Sequence, residues 1–238
     1  MKQLLHPTGL IGFGLTSVFA VTQQWSLQEF CWNTWLAGLV YSWTCVIAAA
    51  IQVLLTAPRE KGIYETAVPF LRSVPPNVFV LGIALSTVLI GLLVLYLYSF
   101  LFGFYGIFLS VFAEMEPHSL FGRNGFINSD FFTPVTFLIE SSWPMVIGTL
   151  IANAEDFLQK NTWKRILLPF QTNEILRIHI LVVALPFLTL IAWALFKTAY
   201  QPVTMVLLIG IFFLLPKKQR KDTPNASRTS EETPEASQ

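Results

Sequence analysis

Between Asn77 and Ala113 the chain runs for 37 residues without one charged side chain: NVFVLGIALSTVLIGLLVLYLYSFLFGFYGIFLSVFA. An ordinary membrane-spanning helix needs about 20 apolar residues, so this run is too long for one such span and tight for two with a turn. Water does not tolerate so long an apolar helix, and the rest of the sequence agrees with a lipid solvent. Hydrophobic residues make up 54% of the 238 and charged residues 12%, with a mean hydropathy of +0.59. A soluble domain carries about 25% charged residues. The expected fold class is therefore all-α: a polytopic integral membrane helix bundle of about six transmembrane helices, one of them long (77–113).

The other apolar stretches set the remaining spans. They run at about 7–21, 30–55, 131–153, 178–196 and 202–215, which makes 1–216 one transmembrane domain and 217–238 a basic anchor with a tail. The first stretch is short, and Lys2 before it with Val18, Phe19 and Ala20 at its end also matches a cleavable signal peptide. The second holds Trp32, Trp35, Tyr41 and Trp43 in its first half, an arrangement expected of an interfacial aromatic belt. Within 154–177, Phe157, Leu158, Trp163, Ile166 and Leu167 fit one side of a helix lying in the interface, with Lys160, Lys164 and Arg165 toward headgroups. Beyond Lys221 no aromatic or large aliphatic residue is available for burial, so the tail is expected to be disordered.

Charge placement orients the bundle. If 77–113 crosses once, all Lys and Arg except Arg123 and Lys197 fall on the side that holds both termini. Because basic residues stay cytoplasmic, one long crossing with a cytoplasmic C-terminus is the expected topology. Lys217, Lys218, Arg220 and Lys221 follow the last span directly, as a stop signal and a contact for anionic lipid headgroups. The formal net charge of +1 gives no sign of nucleic acid. The expected localisation is a bacterial inner (cell) membrane.

Chemistry-bearing residues are few. Glu140 is the one acidic residue well inside an expected span, where an unpaired carboxylate costs several kcal/mol. Ser141 and Ser142 follow it, and Pro144 removes a helical hydrogen bond that would otherwise engage the carbonyl of Glu140. These four form the candidate polar intramembrane site. Asn33 and Gln52 in the second span and His179 at the start of the fifth are weaker candidates. Small residues recur four apart at Gly38 and Ser42 and at Gly148 and Ala152, a spacing that permits close helix approach. Cys31 and Cys45 would stand about 21 Å apart on one helix and cannot bridge each other. His118 with Glu114 and Glu116 fits a solvated acidic loop, and the three histidines are too dispersed for a metal site. No catalytic residue, metal or cofactor is expected, since no phosphate-binding loop, nucleophile elbow or metalloprotease helix occurs.

Trp35-Leu36 in an early span, YGIF at Tyr105 to Phe108, a polar break in the fourth span, Pro169-Phe170 and His179 occur in a telling order. Up to about Lys218 this arrangement resembles a family of uncharacterised prokaryotic multi-pass membrane proteins known only as a domain of unknown function. The family's acidic residue and two histidines would correspond here to Ala37, Phe112 and Trp143, so only His179 stands at a matching place. The resemblance implies a fold without an activity. The functional expectation is a structural or accessory membrane component whose partners are the bilayer and a membrane protein or second copy. The alternative is a small transporter or channel that uses Glu140.

Overall fold

The computed structural model describes residues 7–56, 75–112, 132–154, 157, scattered positions from 180 to 195, and 201–214. Five helices are delimited there: α1 (Pro7–Thr22), α2 (Leu27–Thr56), α3 (Pro76–Phe112), α4 (Phe132–Ala152) and α5 (Gln201–Leu214). No strand occurs among the described residues, and the positions described between 180 and 195 are helical. Three helices, α2, α3 and α4, are long and apolar enough to cross a membrane. The long apolar run is one unbroken helix through Phe112. His179, Lys217, Lys218, Arg220, Lys221 and most of the amphipathic segment lie outside the described residues.

The α1–α2 connection is short because both helix ends are capped. Gln24 takes a left-handed φ of 54°. This lets the Trp25 N–H reach the Ala20 carbonyl at 3.0 Å and the Gln24 N–H reach that of Val21 at 3.3 Å. The pattern is a Schellman ending with glutamine where glycine is usual. One residue later Ser26 opens α2 with a capping box: its Oγ accepts the Glu29 N–H at 3.1 Å, and the Glu29 carboxylate accepts the Ser26 N–H at 2.6 Å. Trp25 and Phe30 join the same buried cluster on either side of this cap, the placement of a hydrophobic staple. The expected start of the second span at Phe30 is thus moved to Leu27 by a cap that hydropathy does not register. At α3, Pro76 takes the first helical position, where its missing N–H costs nothing, and Pro75 accepts the N–H groups of Val78 and Phe79.

Named contacts set the helix directions. Trp43 Nε1 donates to Ser99 Oγ and Trp35 Nε1 to the Phe102 carbonyl, so α2 and α3 are antiparallel. Asn33 meets Ser142 and Gln52 meets Phe157, so α2 and α4 run parallel. Thr8 reaches Ala152 while Phe19 meets Trp143, so α1 is antiparallel to α4. Gly9 lies against Phe213 and Gly210 against Phe13, so α1 is also antiparallel to α5.

Two cores result. One joins α2, α3 and α4 through Trp32, Trp35, Tyr41, Tyr98 and Phe102; the other joins α1, α4 and α5 through Ala20, Met145, Ile209 and Phe213. This corrects the expected interfacial belt: Trp32, Trp35 and Tyr41 are buried, and only Trp43 of the four is exposed. Trp35 reaches the Phe102 carbonyl of α3, Trp32 packs on Trp35, and Tyr41 meets the Phe157 ring, so these side chains fill the core that joins α2 to its neighbours, where dispersion contacts reward large flat rings.

Candidate functional site

The polar residues singled out in the fourth span separate into an inward and an outward group. Ser142 faces α2 and is fully buried, as is Asn33 opposite it (both 0% exposed). The Ser142 hydroxyl donates to Asn33 Oδ1 at 2.5 Å. Ser141 is half-buried and its hydroxyl lies 3.4 Å from both Asn33 Oδ1 and the Leu138 carbonyl, so one proton is shared between two acceptors. Asn33 therefore receives two hydroxyls from successive residues of one helix, which ties α2 and α4 together at one depth. Among the described residues its buried Nδ2 has no hydrogen-bond partner, nor has the Oγ1 of the adjacent Thr34.

Glu140 does not join this cluster. Its side chain is exposed on the outer face of α4, beside Ile139 and one turn before Trp143, which is also exposed. The ring of Trp143 meets Phe19 edge-on at 4.7 Å, three residues before α1 ends. Glu140 accordingly stands beside the last turn of α1, near the depth of Phe19 and Ala20. Asn33 of α2 engages the two serines and not Glu140.

Pro144 sits inside α4 and is buried. Its own carbonyl accepts a long hydrogen bond, 3.5 Å, from Thr16 of α1. This begins a second seam of small and hydroxyl-bearing residues. A Cβ on Gly12 would lie 2.5 Å from the Gly148 carbonyl, and one on Gly148 would lie 2.5 Å from Thr16 Oγ1. Neither distance occurs between real atoms, so the backbones approach as closely as only two glycines permit. Thr8 Oγ1 extends the seam to the Ala152 carbonyl at 3.4 Å. Of this seam, Gly148 and Ala152 were singled out by their spacing, while Thr8, Gly12, Thr16 and Ala20 carry the same four-residue signal unremarked. Gln52 donates to the Phe157 carbonyl at 3.2 Å, securing a residue just beyond α4 to the far end of α2.

Replacing Ser142 by alanine should remove the shorter of the two hydroxyl bonds to Asn33 and lower stability by about 1 kcal/mol, the range of interhelical hydrogen bonds in membranes. Ser141→Ala should cost less, since its proton also has an acceptor in its own helix. Unfolding titrations of the two variants in mixed micelles would measure the difference.

The described groups make a hydrogen-bonded seam and a close backbone crossing, both of which hold helices together. Among the described residues no three His, Cys, Asp or Glu side chains stand close enough to share a metal ion. Compared with family models, curated proteins and solved structures, the chain matches none of them.

Proposed function

We propose that this chain is a multi-pass integral membrane protein with a structural or accessory role, crossing the bilayer six times with both termini cytoplasmic. The reading rests above all on the Asn33–Ser142 pair, two polar side chains without any exposed surface that are spent on joining α2 to α4. A solute path requires polar groups open to an aqueous cavity. Thr16 and Thr149 are likewise buried and bonded to helix carbonyls. The alternation of helix direction supports the topology, because it brings Pro7, Thr56, Ala152 and Leu214 toward one end and the α1–α2 turn toward the other. The segments that hold the basic residues then share the first end, as the retention of Lys and Arg in the cytoplasm requires.

α1 belongs to the mature protein in this reading. Its Gly12 and Thr16 form half of a close crossing, which a helix removed after translocation would leave empty. The bilayer supplies the main partner, with anionic headgroups at Lys217, Lys218, Arg220 and Lys221 and a membrane protein or second copy at the outer face. A carrier role is the second reading, favoured by the buried Asn33 Nδ2 that lacks an acceptor among the described residues.

Two measurements separate these proposals. Periplasmic-reporter fusions should be active after Gln24 and inactive after Lys221, where a fluorescent-protein fusion should be bright; the reverse pattern overturns the topology. Purified protein in vesicles loaded with a pH dye should leak protons and sodium no faster than empty vesicles. A flux abolished by Asn33→Ala in a still folded protein would replace the structural reading with the carrier.

A further inference from the structure

The helices differ in length in a way that no flat bilayer matches. At 1.5 Å per residue, α3 is about 55 Å long and α2 about 45 Å, whereas α1 is about 24 Å and α5 about 21 Å. The short pair is not extended by stagger. Gly9 faces Phe213 and Phe13 faces Gly210, so the described stretches of α1 and α5 lie side by side over the same depth. In sequence His6 precedes α1 and Gln23 follows it, and Pro216-Lys217-Lys218 lies just past α5.

Both sides of the bundle present apolar surface outward. On the short side Leu10, Ile11, Val18 and Val21 of α1 and Val203, Leu207 and Ile211 of α5 are exposed. On the long side exposed apolar residues run along α3 from Val78 to Val111, about 50 Å of helix. Hydrocarbon is about 30 Å thick. Bringing 50 Å within 30 Å by tilt alone would need more than about 50°, beyond the roughly 40° limit seen for membrane helices.

On the membrane reading above, we propose that the α1–α5 edge thins the bilayer around it, holding acyl chains to a local thickness near 24 Å while α3 tilts through thicker lipid on the opposite side. The occupant of the short apolar face is thus the acyl region of the lipid itself. A bilayer drawn in at one edge lowers the barrier there to headgroups and polar segments, which suits an accessory protein that works on lipids or on other membrane chains.

Spin labels test this on the full chain. Cys31 and Cys45 are 3% and 2% exposed and will not take a label in the folded protein, so Leu10→Cys and Val21→Cys can be labelled without removing them. In vesicles of di-oleoyl phosphatidylcholine, relaxation by oxygen and by a water-soluble nickel chelate gives each label's depth below its nearest surface. The two labels are about 16 Å apart along α1, so their depths should sum to about 8 Å in a thinned bilayer and about 14 Å in a flat one. A sum of about 12 Å or more overturns the proposal. The pair Val203→Cys and Ile211→Cys on α5 repeats the measurement should either α1 label disturb folding. Labels at Leu93 and Leu207 must be reached by oxygen and not by nickel; if water reaches them, the membrane reading itself fails and thinning with it.

Discussion

Leucine at position 12 should unseat α1 and give one of the largest losses of stability available in this chain. The first added carbon already lies 2.5 Å from the Gly148 carbonyl, with the Phe213 ring and the Ala152 methyl at 3.0 and 3.1 Å. Backbone bounds the site on one side, so no side-chain rotation makes room. Overpacking of this kind costs about 3 kcal/mol, which for a chain of this size is a fall in Tm of roughly 10 °C. Gly14 supplies the control: nothing approaches within 4 Å of a Cβ there, and Gly14→Ala should be neutral. Cys31 and Cys45 are buried thiols, so a thiol-reactive dye that reports their exposure on heating reads both variants directly. Equal melting of Gly12→Leu and the unchanged protein would show that α1 does not cross α4 as described.

Trp32→Ala should be comparably damaging, and for a different reason. Trp32 is 1% exposed, lies in the α2–α3–α4 core and meets the Trp35 ring edge-on at 5.6 Å. In lipid the unfolded reference is already apolar, so little transfer free energy is lost with the ring; what is lost is dispersion, together with the cavity that remains. The expected cost is about 3 kcal/mol, the low end for a buried tryptophan. Trp43→Ala, on the 38% exposed side of the same helix, forfeits one bond to Ser99 and should cost about 1 kcal/mol. An interfacial belt predicts the opposite pattern, with both variants changing lipid anchoring and neither changing the melt.

These two comparisons mark where hydropathy is informative and where it is silent. Helix positions were legible because they follow from the length of apolar runs: α1, α3, α4 and α5 fall within a residue or so of the expected spans. Helix faces were not, since these helices are apolar all round and polarity does not distinguish lipid from protein neighbours. Trp32 and Trp43 therefore look alike in sequence although one is core and the other surface. Glu140 lies inside the apolar helix α4, but its side chain is on the exposed face and not with Ser142, and no apolar run records which face it takes. The signals that do carry face information were local: the S-x-x-E cap at Ser26 and the four-residue spacing of Thr8, Gly12, Thr16 and Ala20. Asn33 and Ser142 were visible as polar exceptions, but their pairing depended on α2 and α4 being parallel neighbours.

The crossing of Gly12 over Gly148 also bears on the order of biosynthesis. At 5–20 residues per second, α4 follows α1 out of the ribosome by roughly 7 to 27 s, an interval in which the narrow glycine face of α1 has no protein to meet. On the proposed membrane reading, the α1–α2 hairpin enters the bilayer early because its turn is closed by its own caps, but α1 finds its permanent neighbours only after α4 and α5 arrive. The nascent chain in that reading carries α1 as a waiting helix, held by lipid or by the insertion machinery, and completion of the bundle is timed by its last segments rather than its first.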